Sequence, residues 1–363
     1  MSKGKVLMAM SGGLDSSVAA MMLHEEGYEL VGFTLKTWEY PHEDMHTKET
    51  GCCSLDAIND AHHLAVSMGF PHYVLDIREE FNRHIVSNFI DQYLKGRTPN
   101  PCVLCNVHIK WAALLKRAEQ LNCRYIATGH YARTREEDRR VVLYKGRDEN
   151  KDQSYVLWGL SQDFLKRTIF PLGGFTKPEI REMAEDAGFR EIAEKRESYE
   201  ICFIPDDDYR GFLNRKVPGL KEKVEGGDFV DTSGKVMGKH KGYPFYTIGQ
   251  RKGLNVAVGE PLYVKEIKAD SNTIVLAKSN ELFKDEFFIS SFNPIKYPSV
   301  KDGMEVSVKI RYKDKGHPAR VYNQKNLVRV ELQNKVPAIT PGQSAVLYEG
   351  KDVVGGGFIE TYI

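Results

Sequence analysis

A chain of 363 residues is longer than a single hydrophobic core usually supports, so we expect two or three domains. Apolar residues make up 41% and charged residues 28%, and no apolar run reaches the length of a membrane span, so we expect a soluble protein with no membrane partner. The 51 basic and 50 acidic residues nearly cancel, and net charge therefore neither supports nor excludes a nucleic-acid partner. The N-terminus carries no recognisable signal or transit segment, which predicts a cytoplasmic location.

The first predicted strand, residues 5–10, leads into the loop Ser11-Gly-Gly-Leu-Asp-Ser16 and a helix over 16–26. Gly12 and Gly13 permit a sharp turn, and Asp15 or Ser16 can cap the helix. Backbone amides at such a helix start bind anions, so the pattern predicts a phosphate site. No Gly-Lys-Ser/Thr ends the loop, which excludes a Walker A loop and leaves it without a lysine of its own for the phosphates.

Strands and helices alternate up to about residue 205, which is typical of a parallel sheet with crossover helices. The predicted strands are 5–10, 30–37, 72–76 and 124–128, and the predicted helices are 16–26, 55–68, 79–94 and 106–121. Ligands of such sheets bind at the carboxyl ends of the strands. We therefore expect the glycine loop, the segment after Leu35 and the turn Gly129-His130-Tyr131 to meet at one nucleotide.

The rest of the chain has short β-prone runs separated by Gly, Asp and Asn, a pattern that predicts hairpins. Longer strands at 306–312, 327–332 and 344–348 favour a small β-barrel. The predicted fold class is α/β: an N-terminal doubly wound parallel sheet, a small mostly β central domain and a C-terminal β-barrel. The expected domains are 1–205, 206–285 and 286–363.

Six cysteines in a chain of this length do not indicate a disulfide scaffold. Two prolines deliver Cys102 and Cys105 to the start of a helix, where the helix dipole is expected to lower a thiol pKa. Such a pair also occurs in zinc, redox and iron–sulfur sites, although no second pair completes a zinc site. Cys202, between Ile201 and Phe203, is equally consistent with a buried packing residue. For Cys52, Cys53 and Cys123 we expect packing or incidental exposure.

The glycine loop is similar to the PP-loop of the ATP pyrophosphatases, which cleave ATP between its α- and β-phosphates. With several later motifs, it resembles the bacterial tRNA-specific 2-thiouridylases, the MnmA family. The motifs are Gly96-Arg-Thr-Pro-Asn-Pro101, Leu104-Cys-Asn106, Thr128-Gly-His-Tyr-Ala-Arg133, Lys151-Asp-Gln-Ser-Tyr155, Ile201-Cys-Phe-Ile204, Thr247-Ile-Gly-Gln-Arg-Lys-Gly253, Ile310-Arg-Tyr312 and Pro341-Gly-Gln343.

The resemblance implies a sulfurtransferase with two half-reactions. ATP with Mg²⁺ adenylates the C2 oxygen of the wobble uridine of tRNA, and a persulfide sulfur then displaces AMP to leave 2-thiouridine. In this scheme Cys202 carries the persulfide and Cys105 is the second catalytic cysteine. The implied partners are tRNA and a persulfide-donating sulfur carrier or cysteine desulfurase.

The resemblance also assigns binding residues. The ATP set is Ala9, Met10, Ser11, Gly12, Gly13, Leu14, Asp15, Ser16, Leu35 and Gly129. The tRNA set is Asn100, Pro101, Cys102, His130, Lys151, Asp152, Gln153, Arg311, Tyr312 and Gln343.

One position departs from the family pattern, because most members have an aspartate where this chain has Cys102. The trio Cys102, Cys105 and Cys202 then resembles that of PP-loop tRNA thiolases with a [4Fe–4S] cluster, so a cluster with Cys102 among its ligands is an alternative hypothesis. A different PP-loop adenylating ligase and a non-catalytic RNA-binding module are the two further hypotheses. Apart from this cluster, no metal site is assigned to the protein itself.

Overall fold

The computed structural model describes residues 3–39, 54–195, 201–256 and 258–360. The chain forms two compact units. The first comprises residues 1–85, 102–207 and 351–353, and the second comprises residues 86–101, 208–350 and 354–363. Within the described ranges, no helix is both long and apolar enough to cross a membrane.

The N-terminal half of the chain alternates strands and helices. Its strands are β1 Lys5–Ala9, β2 Glu29–Lys36, β3 His72–Asp76, β4 Tyr125–Ala127, β5 Ala132–Glu137, β6 Arg140–Lys145 and β7 Thr168–Ile169. Its helices are α1 Leu14–Glu25, α2 Leu55–Ser67, α3 Arg78–Phe81, α4 Ser87–Leu94, α5 Pro101–Leu104, α6 Ala112–Gln120, α7 Gln162–Lys166, α8 Lys177–Asp186 and α9 Arg190–Ala193. Two π-helical segments, Asn82–Val86 and Cys105–Trp111, lie between α3 and α4 and between α5 and α6.

Five strands form a parallel sheet in the order β3-β2-β1-β4-β7. The order runs outward in both directions from β1, so the crossover direction reverses between β1 and β4. In open α/β sheets, the crevice at such a reversal is where ligands bind. The loop after β1 and the turn after β4 both begin at this crevice.

A buried hydrogen-bond network fixes the end of β1. Thr34 of β2 donates its hydroxyl proton to the Met10 carbonyl at 2.8 Å. Because that proton is used, the Thr34 oxygen accepts from Nε2 of His72, 2.9 Å away. Burial, with His62 nearby, lowers the pKa of His72 to about 4, so the ring is neutral at pH 7. The network therefore holds β1, β2 and β3 in register just before the glycine loop.

Helices α1, α8 and α9 share one apolar core with β1. Val18, Ala19, Ile180 and Ala184 are all fully buried in it. Burial of these small and branched side chains stabilises the first unit. It also sets the start of α1 against the start of α8.

The second unit contains helices α10 Tyr209–Lys216 and α11 Leu220–Val224 and a four-stranded sheet. The strands are β8 Asp228–Val230, β9 Val236–Lys239, β10 Tyr263–Lys268 and β11 Thr273–Ala277, in the order β10-β11-β8-β9. The pairs β8–β9 and β10–β11 are antiparallel, which confirms the prediction of hairpins in this part of the chain.

A six-stranded barrel completes the second unit. Its strands are β12 Phe283–Pro294, β13 Met304–Lys309, β14 His317–Gln324, β15 Leu327–Pro337, β16 Ser344–Glu349 and β17 Asp352–Glu360. Their order is β12-β15-β14-β13-β16-β17, and pairing of β17 with β12 closes the barrel. Phe287, Val308, Val330 and Leu347 are among the side chains that fill its interior.

The predicted fold class is confirmed, with local corrections. Residues 209–216 and 220–224 are helical where β-prone runs were expected, and the hairpin β5–β6 was not predicted. The strand expected over 306–312 ends at Lys309. The helix expected over 79–94 is interrupted at Asn82–Val86, and that expected over 106–121 begins at Pro101.

Replacing Thr34 with valine tests the network at the end of β1. The substitution keeps the shape of this buried side chain but leaves the Met10 carbonyl and the His72 Nε2–H without their shared partner. We expect the free energy of unfolding to fall by about 1–3 kcal/mol, measured by urea denaturation. Thr134→Val on β5, where the side chain is partly exposed, is the matched control. Equal stabilities of the two variants would contradict the role of Thr34.

Candidate functional site

The loop after β1 has the geometry of an anion cradle. Gly12 adopts a φ of +68°, and Gly13 is the N-cap of α1. The Ser11 amide donates to the Ser16 Oγ at 3.0 Å, and the Ser16 hydroxyl donates to the Gly13 carbonyl at 3.1 Å. The first amides of a helix have no partner within that helix, so those of this loop can bind phosphate oxygens.

The expectation that Asp15 or Ser16 caps α1 is wrong. Gly13 is the N-cap and no side chain caps the helix, because Ser16 bonds inside the loop. Asp15 points elsewhere. Its Oδ1 lies 2.7 Å from the Lys177 ammonium and accepts from the Tyr131 hydroxyl at 2.7 Å.

The turn after β4 meets the glycine loop, as the sequence predicted. A Cβ at Gly129 would lie 2.8 Å from the Asp15 carbonyl carbon and the Ser16 nitrogen. Only glycine allows this approach. Leu35 lies near the end of β2, which pairs with β1 beside the loop. The predicted ATP residues therefore share the carboxyl edge of the sheet.

Cys102 and Cys105 lie at the start of a helical segment, as expected. Cys102 is in α5, and Cys105 begins the π-helical segment. The expected acidification is wrong for Cys102. This residue is exposed, yet the protein atoms around its thiol exclude enough water to raise the pKa, and Lys110 opposes that shift only in part.

Cys202 is exposed, although both residues that follow it are buried. The Phe203 ring packs against Phe81 at 5.6 Å and against Trp38 at 6.0 Å between centroids. The interpretation of Cys202 as a buried packing residue is therefore wrong. The buried residues after it hold this part of the main chain in place.

Cys102, Cys105, Cys123 and Cys202 are all thiols, and Cys123 is buried as expected. Cys52 and Cys53 lie outside the described residues.

The three thiols named for a cluster do not form a ligand set in this structure. Across residues 3–39, 54–195, 201–256 and 258–360, no three His, Cys, Asp or Glu side chains are grouped so that they could hold a metal ion. A cluster or zinc centre needs its donors within bonding distance of the same ion or cluster. His108 instead stacks on His84, with ring centroids 5.7 Å apart.

His130 projects from the turn after β4. Its Nδ1 lies 2.9 Å from the Thr128 hydroxyl, and its ring contacts Trp111 and Phe170. Burial, reinforced by the charge of Lys110, lowers the pKa of His130 well below its usual value. The ring is therefore neutral at pH 7, suited to hydrogen bonding with a base rather than pairing with a phosphate.

The stretch Lys151-Asp-Gln-Ser supports this turn. The Gln153 side-chain oxygen accepts from the Tyr131 amide at 2.9 Å, and the Gln153 backbone amide donates to the Tyr131 carbonyl at 2.8 Å. Asp152 is buried, and its carboxylate accepts from the Gly146 and Ser154 amides. Lys151 is partly exposed. Gln153 and Asp152 thus have structural bonds of their own.

The second unit groups the remaining predicted tRNA residues. The Gln343 side-chain amide donates to the carbonyls of Thr98 and Pro99 at 3.2 and 3.0 Å, and Asn100 donates to Ser344 at 3.2 Å. These bonds hold the stretch that ends at Pro101. Arg311 donates to two carbonyls, those of Pro337 and Ala338, and Tyr312 is exposed.

Two lysines at the glycine loop were missed from the sequence. Lys177 contacts Asp15, and Lys195 donates to the Gly12 carbonyl at 2.8 Å. Both come from distant positions, after β7. The absence of a lysine within the loop was the only signal that a cation had to come from elsewhere.

Three family models match consecutive parts of the chain. Residues 4–206 match a tRNA methyl transferase HUP domain, and residues 211–278 match a tRNA methyl transferase PRC-barrel domain. Residues 284–359 match an aminomethyltransferase beta-barrel domain. Among solved structures, NMN synthetase from Francisella tularensis has 19% identity, covering 54% of this chain and 67% of its own, with a TM-score of 0.33. That likeness is too low to support an argument.

Full-length relatives are much closer. The tRNA-specific 2-thiouridylase MnmA of Amoebophilus asiaticus is 58% identical over 99% of this chain and 96% of its own length. The protein of the same name from Cytophaga hutchinsonii is 55% identical over 99% of this chain and 98% of its own. The chain belongs to the MnmA family of tRNA-specific 2-thiouridylases.

Proposed function

We propose that this protein is an ATP-dependent tRNA-uridine 2-sulfurtransferase. It adenylates the C2 oxygen of the wobble uridine and releases pyrophosphate. A persulfide sulfur then attacks C2 and displaces AMP, which leaves 2-thiouridine. The observation that carries the proposal is an exposed thiol, Cys202, held by buried neighbours in the same unit as a loop shaped for phosphate.

The chemistry requires both half-reactions. The C2 carbonyl of uridine resembles that of a urea and has no good leaving group until its oxygen is phosphorylated. The loop Ser11–Ser16, with Leu35 and Gly129 beside it, would bind ATP, and Mg²⁺ would arrive with ATP as part of the substrate. Amides at the start of α1 would stabilise negative charge as the pyrophosphate leaves.

The sulfur step uses two thiols. The outer sulfur of a Cys202 persulfide forms the bond to C2 as the bond from C2 to the adenylate oxygen breaks. The Cys105 thiolate then attacks the Cys202 sulfur, which leaves sulfur on the base and a Cys105–Cys202 disulfide. A thiol reductant restores both cysteines, and a persulfide-donating sulfur carrier or cysteine desulfurase reloads Cys202.

The target base must leave the anticodon-loop stack to reach this chemistry. Neutral His130 would hydrogen-bond to the flipped base or its neighbour. We assign tRNA contacts to Lys151, Arg311 and Tyr312 as well. Gln153, Gln343 and Asn100 would act partly by holding the main chain near them, since each already bonds within its own unit. A cytoplasmic location is part of the proposal.

The test is a reconstituted reaction with ATP, Mg²⁺, a persulfide donor and unmodified tRNA. We expect 2-thiouridine and AMP in equal amounts, detected by nucleoside mass spectrometry and nucleotide chromatography. AMP without 2-thiouridine would favour a different adenylating ligase. Neither product, with tRNA still bound, would favour an RNA-binding module, and a methylated base would favour the activity in the family-model descriptions.

The same preparation, purified without oxygen, tests the cluster alternative. We propose the two-thiol route because the described residues bring no metal-ligating trio together. A colourless, iron-free protein that thiolates tRNA supports this route. Stoichiometric iron with visible absorption, lost together with activity on chelation, would overturn it.

Cys202→Ser should abolish thiolation and leave ATP binding unchanged, because Cys202 carries the sulfur and does not contact ATP. Cys105→Ser should still form AMP but stop before release of the product. Cys123→Ala is the matched control, since Cys123 is buried and has no assigned role. Thiolation by the Cys202 variant at the wild-type rate would remove this residue from the mechanism.

Cys102 should not be a nucleophile at neutral pH. The protein atoms around its thiol raise the pKa above its ordinary value, so the thiolate that reacts with iodoacetamide forms only in more alkaline solution. We expect alkylation of Cys102, followed by peptide mass spectrometry, to be slow at pH 7 and to become faster as the solution is made more alkaline. Cys102→Ser should accordingly keep thiolation. Rapid alkylation at pH 7 would contradict the raised pKa.

A further inference from the structure

We infer that Lys195 is a positioning residue for ATP, which holds a peptide group of the glycine loop in its anion-binding orientation. The inference rests on the proposed function and adds a residue to its ATP site. It starts from one contact, the hydrogen bond from the Lys195 ammonium to the Gly12 carbonyl at 2.8 Å.

The carbonyl of Gly12 and the amide of Gly13 belong to one peptide group. In a planar trans peptide the C=O and N–H bonds point in opposite directions. Because Lys195 binds the carbonyl on one side, the Gly13 N–H is directed to the other side. Gly13 is the N-cap of α1, so that N–H points where the helix-start amides can bind an anion.

This peptide group needs an external restraint. Neither Gly12 nor Gly13 has a Cβ, so rotation of the peptide between them meets little steric resistance. The rotated form would turn the Gly12 oxygen toward the phosphates and the amide away from them. A charge-assisted hydrogen bond to the oxygen disfavours that form.

Lys195 is itself held in place from two directions. Its ammonium pairs with the carboxylate of Asp60 on α2. The same helix packs against the loop, since a Cβ at Gly12 would lie 1.9 Å from the Ala57 carbonyl oxygen. The main chain just before Lys195 is also held in place. Ile192 and Ala193 are buried in the core with α1, and Arg181 donates to the Ala193 carbonyl.

This arrangement also explains how the loop does without a lysine of its own. In a Walker A loop the lysine follows the glycines and reaches the phosphates directly. Here the Lys195 ammonium binds the Gly12 carbonyl oxygen. It therefore acts on ATP indirectly, by orienting the Gly13 amide. A neutral side chain at position 195 would therefore weaken ATP binding and leave the affinity for tRNA unchanged.

The test compares Lys195→Met and Lys195→Arg with wild type and with Lys166→Met, a change at an exposed lysine on α7. AMP formation is measured with saturating tRNA as ATP is varied, and again with ATP saturating as tRNA is varied. We expect Lys195→Met to raise the KM for ATP about 10-fold, with little change in the KM for tRNA or in kcat. Lys195→Arg should restore most of the ATP affinity, because arginine keeps a charged donor.

Thermal unfolding midpoints show whether each variant is folded, and Lys195→Gln, neutral and one bond shorter than lysine, is a second variant for the same measurement. An unchanged KM for ATP in Lys195→Met would overturn the inference. So would a parallel rise in both KM values with a lower midpoint, which would show a merely structural role. If wild type itself forms no AMP, the proposed function fails. If wild type is active and Lys195→Met behaves like Lys166→Met, only the role of Lys195 fails.

Discussion

The close approach of Gly12 to α2 is the constraint on which the rest of the first unit's site depends. With φ at +68° and the Ala57 carbonyl oxygen where a Cβ would be, any other residue would push the loop away from the helix. That displacement would carry Gly13 and the start of α1 with it. The Asp15 contacts to Lys177 and Tyr131 and the Lys195 contact to Gly12 all depend on this position.

Charge around the loop is balanced within the protein before any phosphate binds. Lys177 pairs with Asp15, and Lys195 pairs with Asp60. A buried or half-buried ammonium without a partner would be costly, and each carboxylate offsets that cost.

Two of the thiols, Cys102 and Cys202, lie on exposed residues. Cys202 is exposed while Phe203 and Ile204 are buried, so the exposed thiol and its buried anchor are adjacent residues. Cys102 is exposed at its surface, yet its thiol has a raised pKa. Both residues therefore reach solvent, and the pKa of the Cys102 thiol is raised above its ordinary value.

Local patterns in the sequence were enough to predict the parallel sheet, the barrel, the glycine loop and its meeting with Gly129, because strand periodicity and turn residues are local properties. The helices at 209–216 and 220–224 and the hairpin β5–β6 were not predicted, although each is formed by residues close together in the chain. The raised pKa of Cys102 was not predicted because desolvation depends on how distant parts of the chain pack. The same holds for Lys177 and Lys195, which reach the loop from more than 160 positions away. The sequence by itself therefore determined the glycine loop at the end of β1 and the positions of the cysteine motifs. Only the tertiary structure decided which lysines contact the loop and which thiols are exposed to solvent, because both depend on how distant segments pack.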